Sequence, residues 1–228
     1  MGSPLLAKIY DTVLTPTEWM GVRDQRRRLM AGLSGRVVES GAGTGLNVPL
    51  YPPSAREVHA VEPDQHMLEK LRSKAIRSTT PLFLYRADAH RLPFREGVFD
   101  AAIVTFALCT IPDPERALDE AHRVVRGGGV LRFLEHVRSA KDRTAGWQDR
   151  AAPLWGRISG GCRLNQPTVE ILEGLFAGDF VVTMGQGGLR TGAVVRVLND
   201  DEVGYSPAAE QSAGSDPEPG TVTALNSK

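Results

Sequence analysis

Glycine recurs at every second position in Gly41-Ala42-Gly43-Thr44-Gly45, directly after the run Val37-Val38-Glu39-Ser40. A turn of this composition lets the backbone pass close to a ligand, because glycine has no Cβ to collide with it. A second acid, Glu62, closes the next apolar stretch, Val58 to Val61. A carboxylate at that place is suited to accept hydrogen bonds from ribose hydroxyls. Turn and acid together read as a site for an adenosine-containing ligand at the carboxyl edge of a sheet. The dinucleotide fingerprint would need a third glycine where this chain has Leu46, so the spacing argues against NAD.

Elements that position such a turn are legible on both sides of it. Strands are expected at 36–40, 57–61, 82–86, 100–106 and 129–134, with helices at about 45–51, 64–75 and 114–126 between them. Asp113 followed by Pro114 is a helix start, and Gly127-Gly128-Gly129 a stop. Residues 4–33 read as mostly helical. After residue 137 come an inserted helix and loop carrying Trp147 and Trp155, a helix at 167–176, and strands near 179–184 and 191–198. This alternation implies a mostly parallel sheet covered on both faces, a doubly wound α/β fold. One domain is expected over residues 1–203. Residues 204–228 are poor in large apolar side chains and are expected to be a disordered tail.

With 228 residues, 41% hydrophobic and a formal net charge of +0, the chain has no global field to attract nucleic acid or an anionic membrane. Arg26-Arg27-Arg28 reads as a solvated helix face. Two cysteines, Cys109 and Cys162, are too few for a disulfide scaffold and are expected to pack as small apolar groups. The five histidines show no metal-binding spacing, so no metal site is expected. No signal peptide and no apolar run long enough to span a bilayer is seen, and a cytoplasmic location is expected.

The run Glu39-Ser40-Gly41-Ala42-Gly43-Thr44-Gly45 resembles the first motif of class I S-adenosylmethionine-dependent methyltransferases. Glu62-Pro63-Asp64 is similar to their ribose-binding segment. Ala87-Asp88-Ala89 with Leu92-Pro93-Phe94 is similar to their adenine-contacting loop, and Phe99-Asp100 through Ala107 to their fourth strand. A closer likeness runs through Ala107-Leu108-Cys109, Glu135-His136-Val137, Trp147-Gln148, Pro153-Leu154-Trp155 and Gly161-Cys162-Arg163-Leu164. These resemble the thiol S-methyltransferase group, the methyltransferase-like protein 7 family, and the likeness covers roughly residues 10 to 198. Ser40 and Ala42 depart from its usual aliphatic residue and cysteine, and Gln166 stands where arginine is usual.

The resemblance implies a seven-stranded sheet with its last strand antiparallel, S-adenosylmethionine as cofactor, and a small-molecule methyl acceptor. The acceptor is expected to be a thiol. The alternatives are an oxygen, nitrogen or carbon acceptor, or a binding module without turnover. Cofactor contacts are expected from Tyr10, Glu39, Gly41, Gly43, Gly45, Asn47, Glu62, Pro63, Met67, Asp88, Ala89 and Thr105. Phe106, Leu108, Trp147 and Trp155 are expected at the acceptor, with His136 the candidate catalytic base where the chain leaves the fifth strand.

Overall fold

The computed structural model describes residues 4–139, 141–168, 171, 181–185, 192–196 and 224–225. Five parallel strands form the centre of one sheet: β1 (Gly35–Ser40), β2 (Ala55–Val61), β3 (Leu82–Tyr85), β4 (Phe99–Thr105) and β5 (Val125–Glu135). Val37, Val38 and Ala101 through Val104 are all buried, as strands covered on both faces require. β6 (Val181–Gly185) continues the sheet parallel to β5, and β7 (Gly192–Arg196) closes the edge antiparallel to β6. The order is β3-β2-β1-β4-β5-β6-β7, so the winding direction reverses between β1 and β4. Ligand crevices of doubly wound sheets open at that reversal.

The helices cover both faces. α1 (Pro4–Thr17) leads through a π-helical turn, Glu18–Val22, into α2 (Arg23–Met30), whose Leu29 and Met30 enter the core. α3 (Gln65–Ala75) starts where the Asp64 carboxylate accepts from the N–H groups of His66 and Met67 at 2.8 and 2.9 Å. α4 (Pro114–Val124) is capped the same way by Asp113, which accepts from Arg116 N–H at 3.1 Å. α5 (Asp142–Ile158) follows β5.

Three expectations change. The helix expected at 45–51 is a pair of turns with one 3-10 turn, Val48–Leu50. Pro49 and the pair Pro52-Pro53 deny it the hydrogen bonds of a longer helix. The glycine run 127–129 does not end α4, which stops at Val124, but lies within β5. A Cβ on Gly129 would come within 2.9 Å of the Asp100 carbonyl oxygen, so glycine there admits the close approach of β4. The sheet carries an eighth, two-residue strand, β8 (Ala224–Leu225), antiparallel to Val130 and Leu131 of β5. Those two residues lie within the segment expected to be the tail. The rest of 204–228, the boundary at 203 and most of the helix expected at 167–176 lie outside the described residues. No described helix is long and apolar enough to cross a membrane.

Candidate functional site

The carboxyl ends of β1, β2 and β4 open into a cleft of about 580 Å³. All three loop glycines have positive φ (73°, 56° and 80° at Gly41, Gly43 and Gly45), but for different reasons. A side chain at Gly41 would strike Ala107, and one at Gly45 would come within 2.5 Å of Leu71 Cδ1 on α3. Nothing lies within 4 Å of a Cβ placed on Gly43. That position faces open cleft. Gly41 and Gly45 hold the loop against its neighbours, and Gly45 does not line the cleft.

Glu62 leaves β2 at the floor of the cleft and is only 8% exposed. Its Oε2 accepts from Gly43 N–H at 2.8 Å, and its Oε1 accepts from Asp64 N–H at 3.0 Å. Burial raises its pKa above the usual carboxylate range, and the two backbone bonds oppose that rise. Pro63, Met67, Ala87 and Ala89 continue the wall. Asp88 does not. Its side chain is 65% exposed and turned to His90, 2.7 Å from that ring's Nδ1. Asp88 is thus not among the residues that line the cleft.

Behind the loop sits a buried polar network. Asn47 Nδ2 donates to Glu39 Oε1 at 2.6 Å and to Thr105 Oγ1 at 2.9 Å, and the Tyr51 hydroxyl donates to Glu39 Oε2. Burial pushes the Glu39 pKa up to about 7 against the Asn47 hydrogen bond and the nearby Arg26 charge. Glu39 and Asn47 stand behind the wall and brace it, whereas Thr105 is on it.

Arg26 joins this network and overturns the reading of residues 26–28 as a solvated face. It is 5% exposed and lines the cleft. Its guanidinium pairs with Glu18 at 2.9 Å, donates to Asn47 Oδ1 at 3.0 Å, and lies 5.1 Å above the Phe106 ring. The π-helical turn kinked at Gly21 (φ 114°) precedes α2, which packs with Arg26 inward. Three consecutive arginines give no hint which one is buried. The separation of Glu18 and Arg26 was the available signal, and only once the kink is known.

α1 lies over the cofactor loop. Lys74 Nζ is 2.9 Å from Asp11 Oδ2, and Thr44 Oγ1 donates to Asp11 Oδ1. Tyr10 lines the cleft with its phenol pushed up to about 12, chiefly by burial.

The far end of the cleft is built from Phe106, Ala107, Thr110 and Ile111 after β4, and from Arg157, Ser159 and Gly160 at the end of α5. Phe106 is the only non-glycine residue with positive φ (51°) among those described, and this turns its ring onto the wall. Of the other expected acceptor residues, Leu108 is 1% exposed in the core and Trp147 is 62% exposed to solvent. Trp155 is partly buried, with its indole turned toward Cys162. None of the three lines the cleft.

His136 is also off the wall, packed against Phe106 with ring centroids 4.8 Å apart. Its Nδ1 lies 3.4 Å from Cys109 Sγ and 3.3 Å from Cys162 Sγ, and the two sulfurs are 3.3 Å apart. The hydrogen bond with Cys109, then that with His136, holds the Cys162 thiol well below its usual range, while the same contact and burial push Cys109 up. Burial works against a charge on His136, yet its bond to Cys162 leaves its pKa raised. The cysteines are thus not mere apolar filler. His136 is engaged with them and not aimed at the cleft.

Comparison with known proteins agrees with this geometry. Residues 38–133 match a family model described as a methyltransferase domain. The human thiol S-methyltransferase TMT1B is 34% identical over 174 residues, covering 71% of this chain and 70% of that protein. Human thiol S-methyltransferase TMT1A is also 34% identical, over 63% of this chain and 61% of its own length. A crystal structure from Thermotoga maritima, of a SAM-dependent methyltransferase and possible histamine N-methyltransferase, superposes with a TM-score of 0.59. It covers 78% of this chain and 82% of that one at 22% identity, which establishes the shared fold.

The chain belongs to the class I S-adenosylmethionine-dependent methyltransferases, and within that class to the family of the thiol S-methyltransferases. Its cofactor is S-adenosylmethionine, and it methylates a small molecule.

Proposed function

We propose that the acceptor is a small-molecule thiol, methylated in this cleft. The observation that carries the reading is the 34% identity over 174 residues to a protein named as a thiol S-methyltransferase. The charge distribution supports it. Among the described residues, the carboxylates on the cleft wall are Glu62 and Asp64, both at the loop end. The far end carries Arg157 and no acid. That end suits an anionic thiolate better than an ammonium acceptor.

The donor fits the residues present. Gly43 leaves open space where an amino-acid moiety would press against the backbone, and the two Glu62 oxygens are each anchored by an N–H with lone pairs to spare for a sugar diol. Bound S-adenosylmethionine supplies an electrophilic methyl group on a sulfonium. Glu62 would hold its ribose, Arg26 and Thr105 would face its carboxylate, and Pro63, Met67 and Ala89 would border its base. Tyr10 and α1 would cover it and exclude water.

On the acceptor side, Phe106, Ile111 and Gly160 would position the sulfur in line with the methyl group, the step where effective molarities of roughly 10⁵ M and above arise. No described histidine or carboxylate borders the far end. The acceptor therefore arrives as the thiolate, favoured by the Arg157 charge, and its proton leaves to solvent.

A panel of aliphatic thiols, phenols and amines incubated with methyl-labelled cofactor tests this by mass spectrometry. Labelled thioethers are expected. Label appearing in phenols or amines alone would eliminate the thiol reading.

A further inference from the structure

We infer that Cys109, His136 and Cys162 form a binding site for a single soft divalent cation of the zinc class. Their donor atoms, two Sγ and one Nδ1, make a nearly equilateral triangle with edges of 3.3, 3.3 and 3.4 Å. In a tetrahedral zinc site, bonds near 2.3 Å to sulfur and 2.0–2.1 Å to nitrogen imply edges of about 3.6–3.8 Å. An ion above the face of this triangle would need to open it by only a few tenths of an ångström.

The donor set is soft, two thiols and an imidazole, which favours zinc or a similar metal over magnesium or calcium. Two thiolates and a neutral imidazole around a divalent ion are electrically balanced. Three donors also leave one coordination position for an outside ligand.

The three segments carrying the donors are fixed by bonds beyond the cluster. Arg163 N–H donates to the Cys109 carbonyl at 2.9 Å, tying the segment after α5 to the loop after β4. Thr168 Oγ1 donates to the His136 carbonyl at 3.0 Å. Gln148, 3% exposed, donates to the carbonyls of Val137 and Leu164 at 3.0 and 3.1 Å. Such outer contacts orient ligands in metal sites. A second observation points the same way. Glu135 is 1% exposed and its Oε2 has no hydrogen-bond partner, so an unpaired buried carboxylate oxygen sits on the residue next to His136. Glu135 Oε1 accepts from the N–H groups of Ala107 and Leu108 at 2.8 and 3.0 Å, which ties Glu135 to the loop that carries Cys109.

The ligands come from three separate loops, so their sequence spacing could not announce the site. The cation would lock the loop carrying Phe106 to the end of α5, and with it both walls of the far end of the cleft.

The test is metal binding by the full chain, reduced and stripped with a chelator, then titrated with zinc by calorimetry and with cobalt by absorption. One equivalent per chain is expected, with a thiolate-to-cobalt charge-transfer band and a rise in melting temperature. Cys162→Ser and Cys109→Ser should each weaken binding by more than about tenfold, the scale on which even outer contacts of metal sites act. His136→Ala should do the same, and retained S-adenosylmethionine affinity shows that each variant is folded. Failure of the reduced parent to take up stoichiometric metal, or equal binding by folded variants, would overturn the site. So would a Cys109–Cys162 disulfide that forms without any metal uptake after reduction.

Discussion

Glu62 Oε2 accepts a hydrogen bond from the backbone N–H of Gly43 at 2.8 Å, joining the acid at the end of β2 to the one loop glycine that faces open cleft. The same bond fixes the loop and orients the carboxylate, so cofactor grip and loop shape are one device. Glu62→Ala should weaken S-adenosylmethionine binding by about 1–3 kcal/mol, the cost of unpaired partners. Calorimetry on the folded variant reads this directly. Unchanged affinity would remove Glu62 from the ribose site.

Two glycines of the same loop should respond oppositely to alanine. Gly45→Ala places a methyl group 2.5 Å from Leu71 Cδ1, so the melting temperature should fall by several degrees. Gly43→Ala meets no protein atom and should cost only about 1–2 kcal/mol of stability from its left-handed backbone. Cofactor affinity should fall more in Gly43→Ala than in Gly45→Ala. Thermal melts paired with calorimetry separate the two effects, and equal behaviour would contradict the division.

How much of this was readable in advance depends on the range of the interactions. The loop and its acid are local, which is why residues 39–45 and 62 identify the cofactor class from the chain alone. Most strands are apolar runs and lie within a few residues of where their patterns place them. Arg26 was misread because burial of one arginine among three is decided by the kink at Gly21 and by Glu18, Asn47 and Thr105, which lie on other elements. Trp147 was misjudged because a tryptophan on a helix says nothing about which way that helix faces. The triangle of Cys109, His136 and Cys162 is a product of three loops meeting and has no signature in spacing.

Arg26→Met should reduce cofactor affinity roughly tenfold, since it removes a buried cation from the wall and takes the donor from Glu18 Oε1 and from Asn47 Oδ1. Arg26→Lys should recover only part of the loss, because a single ammonium cannot serve Glu18, Asn47 and Thr105 together. Binding isotherms for the two variants check this. An affinity equal to that of the parent in Arg26→Met would confine Arg26 to packing.

Glu39 makes stability depend on pH. Its pKa is raised by burial to about 7, so between about pH 4.5 and 7 the folded chain holds a proton that the unfolded chain has released. Stability therefore falls as pH rises through that window, by an amount on the order of 2–3 kcal/mol from this group. Glu39→Gln should flatten that part of the curve. Denaturant unfolding at pH 5 and pH 7.5 measures it, and an unaltered slope in the variant would refute the assignment.

The acceptor reading makes its sharpest demand on the pH profile of methyl transfer. With no described histidine or carboxylate at the far end of the cleft, the rate should follow ionisation of the acceptor itself. Initial rates at saturating S-adenosylmethionine, taken for two thiols whose pKa values differ by about two units, measure this. The expected result is an inflection that moves with the thiol, rising at lower pH for the more acidic one. An inflection fixed at one pH for both thiols would mean that a group of the protein removes the proton, contrary to the site described above.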